Sequence, residues 1–265
     1  MARTILLIDG DEYLHRACAA VERDERWDEE NHLLYSNEVE AWEVVEGSID
    51  KVLAHFAEKD HVICLSDTDV KDFRKDLVDP TYKHTRVGKR KPLCFHALKR
   101  KLKAERNCRW LESLEADDIM GILATKPGPD LKLIISRDKD MKTIPAQVWT
   151  GEHFYNVTEQ QADYWHLYQT LVGDAGDGYK GCPGIGPKKA ELVLKPTGDY
   201  TGGPMWPLVV AAFVKAGLTE ADALRQARLA RILRWSDWDS ERKEPKLWTP
   251  SPVKTTTTQT TGGST

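Results

Sequence analysis

Carboxylates recur at one kind of place in this sequence, just after short apolar runs. Thr4–Ile8 leads into Asp9, His61–Ser66 into Asp67, and Leu131–Ser136 reaches Asp138 and then Asp140. A fourth run, Cys108–Leu111, feeds Glu115-Ala116-Asp117-Asp118, and a glycine-rich stretch carries Asp174 and Asp177. Acids gathered in one crevice repel one another and raise each other's pKa unless a cation neutralises them. An all-oxygen donor set without a His or Cys cluster suits a hard ion, Mg²⁺ or Mn²⁺. Singly, each acid has a plainer use: a strand-end Asp forms a turn or caps a helix, and acids in a first helical turn complement its dipole. Their joint recurrence is what points to a metal centre.

The cations are segregated from these acids. Residues 81–110 hold 11 Lys and Arg against Glu105 alone, whereas residues 1–60 hold 16 acids against 6 Lys and Arg. Clustered cations displace counterions condensed on a polyanion, although a solvated basic loop or helix would carry the same charge. The net charge of −4 averages these regions and does not exclude a nucleic-acid partner. No apolar run approaches the roughly 20 residues of a membrane span. Thr4–Ile8 is too short for a signal-peptide core. The expectation is a cytoplasmic protein with no membrane partner. Cys18, Cys64, Cys94, Cys108 and Cys182 form no C-x-x-C pair, so a structural zinc is not expected.

The elements that must position the acids follow from periodicity. β-branched runs alternate with helix-period stretches, notably Glu38–Glu58 and Asp117–Ala124, which predicts an α/β fold with a mostly parallel central sheet flanked by helices. In such sheets ligand sites lie beyond the carboxyl ends of the strands, so four strand ends would aim acids at one edge. From about Ala162 the pattern turns helical, and Leu218–Trp235 reads as a further helix with Thr219 as N-cap. The expected organisation is an α/β body over residues 1–161 with a basic arch at about 82–106, a helical region over 162–248, and a disordered Thr-rich tail over 249–265. Within Gly181–Ala190, Gly184 and Gly186 let backbone N–H groups approach a phosphate, the next helix N-terminus favours negative charge, and Lys188 and Lys189 add cations. A Gly/Pro connection between packed helices is the plainer alternative. The nine tryptophans read mainly as core.

Taken together, Leu7-Ile8-Asp9-Gly10, Phe73-Arg74 with Tyr82-Lys83-His84-Thr85-Arg86, Leu114–Gly121, Ser136–Met141 and Gly173–Gly178 resemble the motifs of the flap-endonuclease superfamily. That superfamily includes the 5′-nuclease domain of bacterial DNA polymerase I and phage 5′→3′ exonucleases. The likeness is greatest to the exonucleases of short-tailed phages of the T-seven group, and covers roughly residues 4–248. It implies a first metal cluster of Asp9, Asp67, Glu115, Asp117 and Asp118, and a second of Asp138, Asp140, Asp174 and Asp177. Lys83 and Arg86, at the base of a helical arch, and Arg16 would contact phosphate. Tyr82, Lys89, Arg90 and Lys91 would meet DNA. So would Gly184, Gly186, Lys188 and Lys189, in a helix–hairpin–helix turn that can take K⁺.

Two departures stand out: His15 replaces the usual aromatic, and the stretch from Lys83 to Glu115 is short for a closed arch. The implied activity is 5′→3′ exodeoxyribonuclease with two Mg²⁺ ions, Mn²⁺ substituting. The implied partners are duplex DNA with 5′ ends, 5′ flaps, RNA–DNA hybrids and phage replication proteins in the host cytoplasm. A structure-selective flap endonuclease is the main alternative. Asp9-Gly10-Asp11, Ser136 and Gly173-Asp174 also resemble pieces of haloacid-dehalogenase phosphatases, a reading that leaves Glu115–Asp118, Tyr82–Arg86 and the hairpin without a role. A non-catalytic DNA-binding module would lack carboxylates that are all present.

Overall fold

Leu6, Leu7 and Ile8 are all buried in β1 (Thr4–Asp9), because helices cover both faces of this strand; its sequence is therefore a continuous apolar run rather than an alternating one. The computed structural model describes residues 2–57, 59–194 and 205–250. After β1 come α1 (Gly10–Val21), a hairpin of β2 (Arg23–Arg26) and β3 (His32–Tyr35), and α2 (Glu38–His55). Next are β4 (Asp60–Cys64), the short α3 (Phe73–Leu77), α4 (Phe95–Glu105), β5 (Cys108–Arg109), α5 (Ala116–Thr125) and β6 (Leu131–Ile135). β7 (Gln147–Trp149) and β8 (Phe154–Asn156) complete the main sheet, followed by α6 (Glu159–Val172), α7 (Pro187–Leu194), α8 (Trp206–Lys215) and α9 (Glu220–Ala230).

The sheet runs β5-β4-β1-β6-β7-β8, parallel throughout except for the β7–β8 pair. Asp9 pairs with Cys64 and Ile8 with Ile135, which brings the carboxyl ends of β1, β4 and β6 level. Strand alternation divides the core. Leu6 and Ile8 pack with Leu14, Ile49 and Leu98 of α1, α2 and α4, whereas Leu7 packs with Ile119 and Met120 of α5 and with Ile232 and Leu233 near the C-terminal end. A separate apolar cluster joins α6–α9 through Leu167, Leu171, Ala190, Phe213 and Ala223. Among the described residues no helix is long and apolar enough to cross a membrane.

Two expectations change. The helix expected over Leu218–Trp235 stops at Ala230, and residues 231–234 run on without helix. The backbone at the helix end and just beyond it is used elsewhere: buried Arg74 donates to the carbonyls of Leu229 (3.2 Å) and Arg231 (2.6 Å), while Asp118 accepts the Leu233 N–H at 3.0 Å. The segment lies so close to α5 that a Cβ on Gly121 would sit 2.3 Å from the Leu233 carbonyl oxygen. The basic stretch expected as an arch has α4 as its second half, and that helix is packed on the body through Phe95, Leu98 and Leu102. Only residues 87–94 bridge between, tied back to α1's C-cap Glu22 by Arg90. Most of the Thr-rich tail, residues 251–265, lies outside the described residues.

Candidate metal centre

The end of β1 delivers Asp9 to the carboxyl edge of the sheet, where its Oδ1 accepts the Glu12 N–H (3.1 Å) and its Oδ2 the Ser136 hydroxyl (2.9 Å) at the end of β6. Burial pushes the Asp9 carboxyl up to about 7, and the charges of Asp11 and Glu12 add to the rise. Asp11 is held beside it: its Oδ2 accepts the Ser66 N–H, and its Oδ1 lies 3.2 Å from the Lys99 ammonium.

Helix α5 presents the second set. Carboxylate oxygens of Glu115, Asp117 and Asp118 lie within 4.8 Å of one another. Successive helical residues point about 100° apart, so the two aspartates part company. Asp117 faces the crevice, and burial together with the charges of Asp118 and Glu115 holds its pKa well above the ordinary range. Asp118 is fully buried and turned into the body, where Arg74 grips both its oxygens at 2.7 and 2.8 Å. Its remaining capacity goes to the Leu233 and Glu115 N–H groups. Asp118, expected as a ligand, thus also clamps Arg74, while its oxygens stay within the acid group of Glu115 and Asp117.

β4 ends at Cys64, and along the extended chain that follows, Ser66 lines the crevice and Asp67 lies 3.4 Å from the Lys103 ammonium. Tyr82, expected against DNA, is buried; its hydroxyl lies 3.2 Å from Glu115 Oε2 and 3.1 Å from Asp177 Oδ2, bridging two acids. Lys83 adopts a left-handed backbone (φ 56°), uncommon for a residue with a Cβ, and donates its N–H to the Asp177 carbonyl at 2.7 Å. That turn lets its ammonium bond Glu115. Burial alone would raise the Glu115 carboxyl, but the charges of Lys83 and Arg74 outweigh it and take the pKa down to about 2. Burial likewise opposes the Lys83 charge, yet Glu115 and Asp177 hold its pKa above the ordinary lysine value.

The remaining acids come from two loops. After β6, Asp138 accepts the Asp140 N–H at 2.8 Å, and burial, with Asp138 nearby, pushes Asp140 up to about 6. After α6, a tight loop is closed by two backbone bonds between Asp174 and Tyr179, with Gly173 and Gly181 back to back. A Cβ on Gly181 would meet the Gly173 nitrogen at 2.4 Å, so both positions need glycine. Asp174 accepts the N–H groups of Gly176 and Asp177, and Arg86 pairs with Asp177 at 2.5 Å. Lys139 spans the two loops, 3.3 Å from Asp140 and 3.1 Å from Asp174.

Asp9, Glu115, Asp117, Asp138, Asp140, Asp174 and Asp177 line one open crevice of about 1010 Å³, with Arg16, Lys91 and Arg137 also on its walls. Asp9, Asp117 and Asp138 have no cation partner among the described residues, and Asp9 and Asp117 resist ionising alone; an all-oxygen divalent-ion site would relieve both. Lys89 is exposed, and Arg90 is spent on Glu22. Gly184, Gly186 and Lys188 are exposed at the start of α7, away from the crevice lining, and Lys189 donates to the Gly184 carbonyl at 2.8 Å. In the sequence Arg74, Ser136 and Lys139 stand only as parts of motifs; no periodicity signals that Arg74 is buried, or that Lys139 joins two loops.

Residues 4–164 match the family model described as 5′–3′ exonuclease, N-terminal resolvase-like domain. Over 93% of its length the chain is 35% identical to an exodeoxyribonuclease of Enterobacteria phage T3, covering 93% of that protein. It is 34% identical to an exonuclease of Escherichia phage T7, again over 93% of both chains. Its fold is similar to that of the bacteriophage T5 D15 flap endonuclease solved as a pseudo-enzyme–product complex with DNA and metal ions, with a TM-score of 0.55 at 16% identity, over 86% of this chain and 89% of that one.

Proposed function

The chain belongs to the 5′–3′ exonuclease family, and from that premise we propose that it hydrolyses phosphodiesters from the 5′ ends of duplex DNA with two Mg²⁺ ions, Mn²⁺ substituting. One observation carries the reading: a single crevice at the carboxyl edge of the sheet gathers Asp9, Asp117, Asp138, Asp140, Asp174 and Asp177, with Lys83, Arg86 and Arg16 on its walls. Asp9, Glu115 and Asp117 would hold one ion, and the four acids of the two loops the other. Bound there, divalent ions supply Lewis acidity and an activated water.

The chain's own groups do the rest. Lys83, held by Glu115 and Asp177, meets a phosphoryl oxygen as negative charge grows on it, and Arg86 and Arg16 add charge from the walls. The Tyr82 hydroxyl fixes the spacing of Glu115 and Asp177. Residues 1–161 form the nuclease body in this proposal, with Lys89 and Lys91 tracking the strand. Residues 162–248 grip the duplex through Gly184, Gly186, Lys188 and Lys189 at a helix start. A K⁺ ion at that turn would compete with Lys189 for the Gly184 carbonyl. RNA–DNA hybrids, 5′ flaps and a setting among phage replication proteins in the host cytoplasm extend the same proposal.

The test is hydrolysis of 5′-labelled blunt duplex, 5′-flap duplex and RNA–DNA hybrid in Mg²⁺, scored by product length. Mononucleotides and dinucleotides from blunt duplex are expected. Single cuts at the flap junction with little attack on blunt ends would assign flap cleavage as the main activity, and no cleavage of any substrate would end the nuclease reading.

A further inference from the structure

We propose that Lys139 is an exchangeable internal counterion: it holds Asp140 and Asp174 together in the metal-free protein and is released to a DNA phosphate when a divalent ion takes their oxygens. The inference deepens the nuclease reading and rests on it. Lys139 begins a 3₁₀ turn immediately after Asp138, and its ammonium reaches the 138–140 loop and the 173–178 loop at once, at 3.3 and 3.1 Å. No other cation among the described residues pairs with either acid; Lys83 and Arg86 go to Asp177 and Glu115. A divalent ion on Asp140 and Asp174 and the Lys139 ammonium would claim the same oxygens, and like charges so close repel.

Exposure decides what happens next. The Lys139 side chain is 71% exposed, so its head leaves into solvent rather than into the protein interior. It stays tethered on the wall of the crevice, between Arg137 and Asp140, where a phosphodiester would lie. A flexible four-carbon stem with a compact charge suits such a hand-over better than a planar guanidinium would. Metal occupancy and phosphate affinity are thereby coupled through one side chain: filling the acid site frees a cation for the substrate.

The test is Lys139→Gln, which keeps most of the length and removes the charge at an exposed position. Titration of the metal-free protein with Mn²⁺ alone, followed by calorimetry, should show the weaker ion binding roughly threefold to tenfold tighter in the variant, because two exposed ion pairs no longer compete. Duplex affinity is then measured with EDTA and with Ca²⁺, using phosphorothioate terminal linkages so that the duplex is not consumed. With EDTA the variant should match the parent. With Ca²⁺ it should bind more weakly, with a salt dependence shallower by about 0.9 in log–log slope, the value for one phosphate contact. A merely structural lysine would not lose duplex affinity only when the divalent ion is present. An unchanged Mn²⁺ titration, or equal weakening with and without Ca²⁺, overturns the proposal. If the parent itself neither binds nor cuts duplex, the nuclease reading fails instead.

Discussion

Replacing Asp117 or Asp118 by Asn should move stability in opposite directions, although the two residues are adjacent. Asp118→Asn keeps shape but removes the charge that faces Arg74, a guanidinium fully buried against it at 2.7 and 2.8 Å. Removing one partner of a buried pair strands the other, at a cost of about 3–5 kcal/mol. For a chain of this size that is a fall in melting temperature of roughly 6–20 °C, at about 2–4 °C per kcal/mol. Asp117→Asn keeps an oxygen for the Asp118 N–H and removes a charge crowded by Asp118 and Glu115. The Asp117 pKa is raised in the folded chain, so its ionisation opposes folding above the ordinary carboxylate pKa and is without effect below it. The metal-free variant should therefore melt above the parent at pH 8, and the gain should vanish toward pH 4. Calorimetry in EDTA at both pH values reads the signs. A Mn²⁺ titration then separates the roles: Asp117→Asn weakens binding, whereas folded Asp118→Asn retains it. An Asp118→Asn variant melting within about 2 °C of the parent, or an Asp117→Asn variant melting lower at pH 8, would refute the assignment of clamp and ligand.

Three other outcomes follow from the same geometry. Asp9 at about 7 and Asp140 at about 6 both lie above their unfolded values, so the stability they lend is full at low pH and is lost as pH rises through 6 and 7; the melting-temperature gain from Mn²⁺ should be larger at pH 8 than at pH 5.5. Gly121→Ala places a methyl 2.3 Å from the Leu233 carbonyl oxygen and should destabilise the protein by about 1–3 kcal/mol, measured by urea unfolding. Lys83→Met should reduce turnover by about 10²–10³-fold with little change in KM, since its charge acts where phosphoryl charge develops; a change confined to KM would show that it only binds substrate.

The fold is legible because its central strands are buried on both faces and acids stand at or shortly after their ends. Period and composition therefore located β1, β4 and β6 and the edge on which they converge. Asp9 and Asp117 reach the crevice from a strand end and a helix start, and Asp138 and Asp140 from the short turn that follows β6. Legibility is weaker at the end of β4, where the strand stops at Cys64 and the chain runs on without regular structure to Asp67, whose ammonium neighbour Lys103 is 36 residues away. The second use of Asp118 is not legible at all, because its partner Arg74 is 44 residues away and its other partner, Leu233, is 115 away. The β2–β3 hairpin gave no signal because strand Arg23–Arg26 is wholly polar and exposed. Helix α9 was read too long because Arg231 to Trp235 keeps a helical composition, and only tertiary bonds to Arg74 and Asp118 unwind it.

The extended segment after α9 also gives the molecule an order in time. A ribosome delivers β1, α3 and α5 first, at about 5–20 residues per second, but the Leu229 and Arg231 carbonyls that complete the cradle of Arg74 come well after α5. Until they arrive, burying Arg74 would leave its donors unmet, which native interiors do not tolerate. Glu115, positioned in part by Arg74 at 3.5 Å, is thus among the last parts of the crevice to be fixed. The growing polypeptide therefore carries Asp9 and Glu115 before the segment that completes the cradle of Arg74 has emerged.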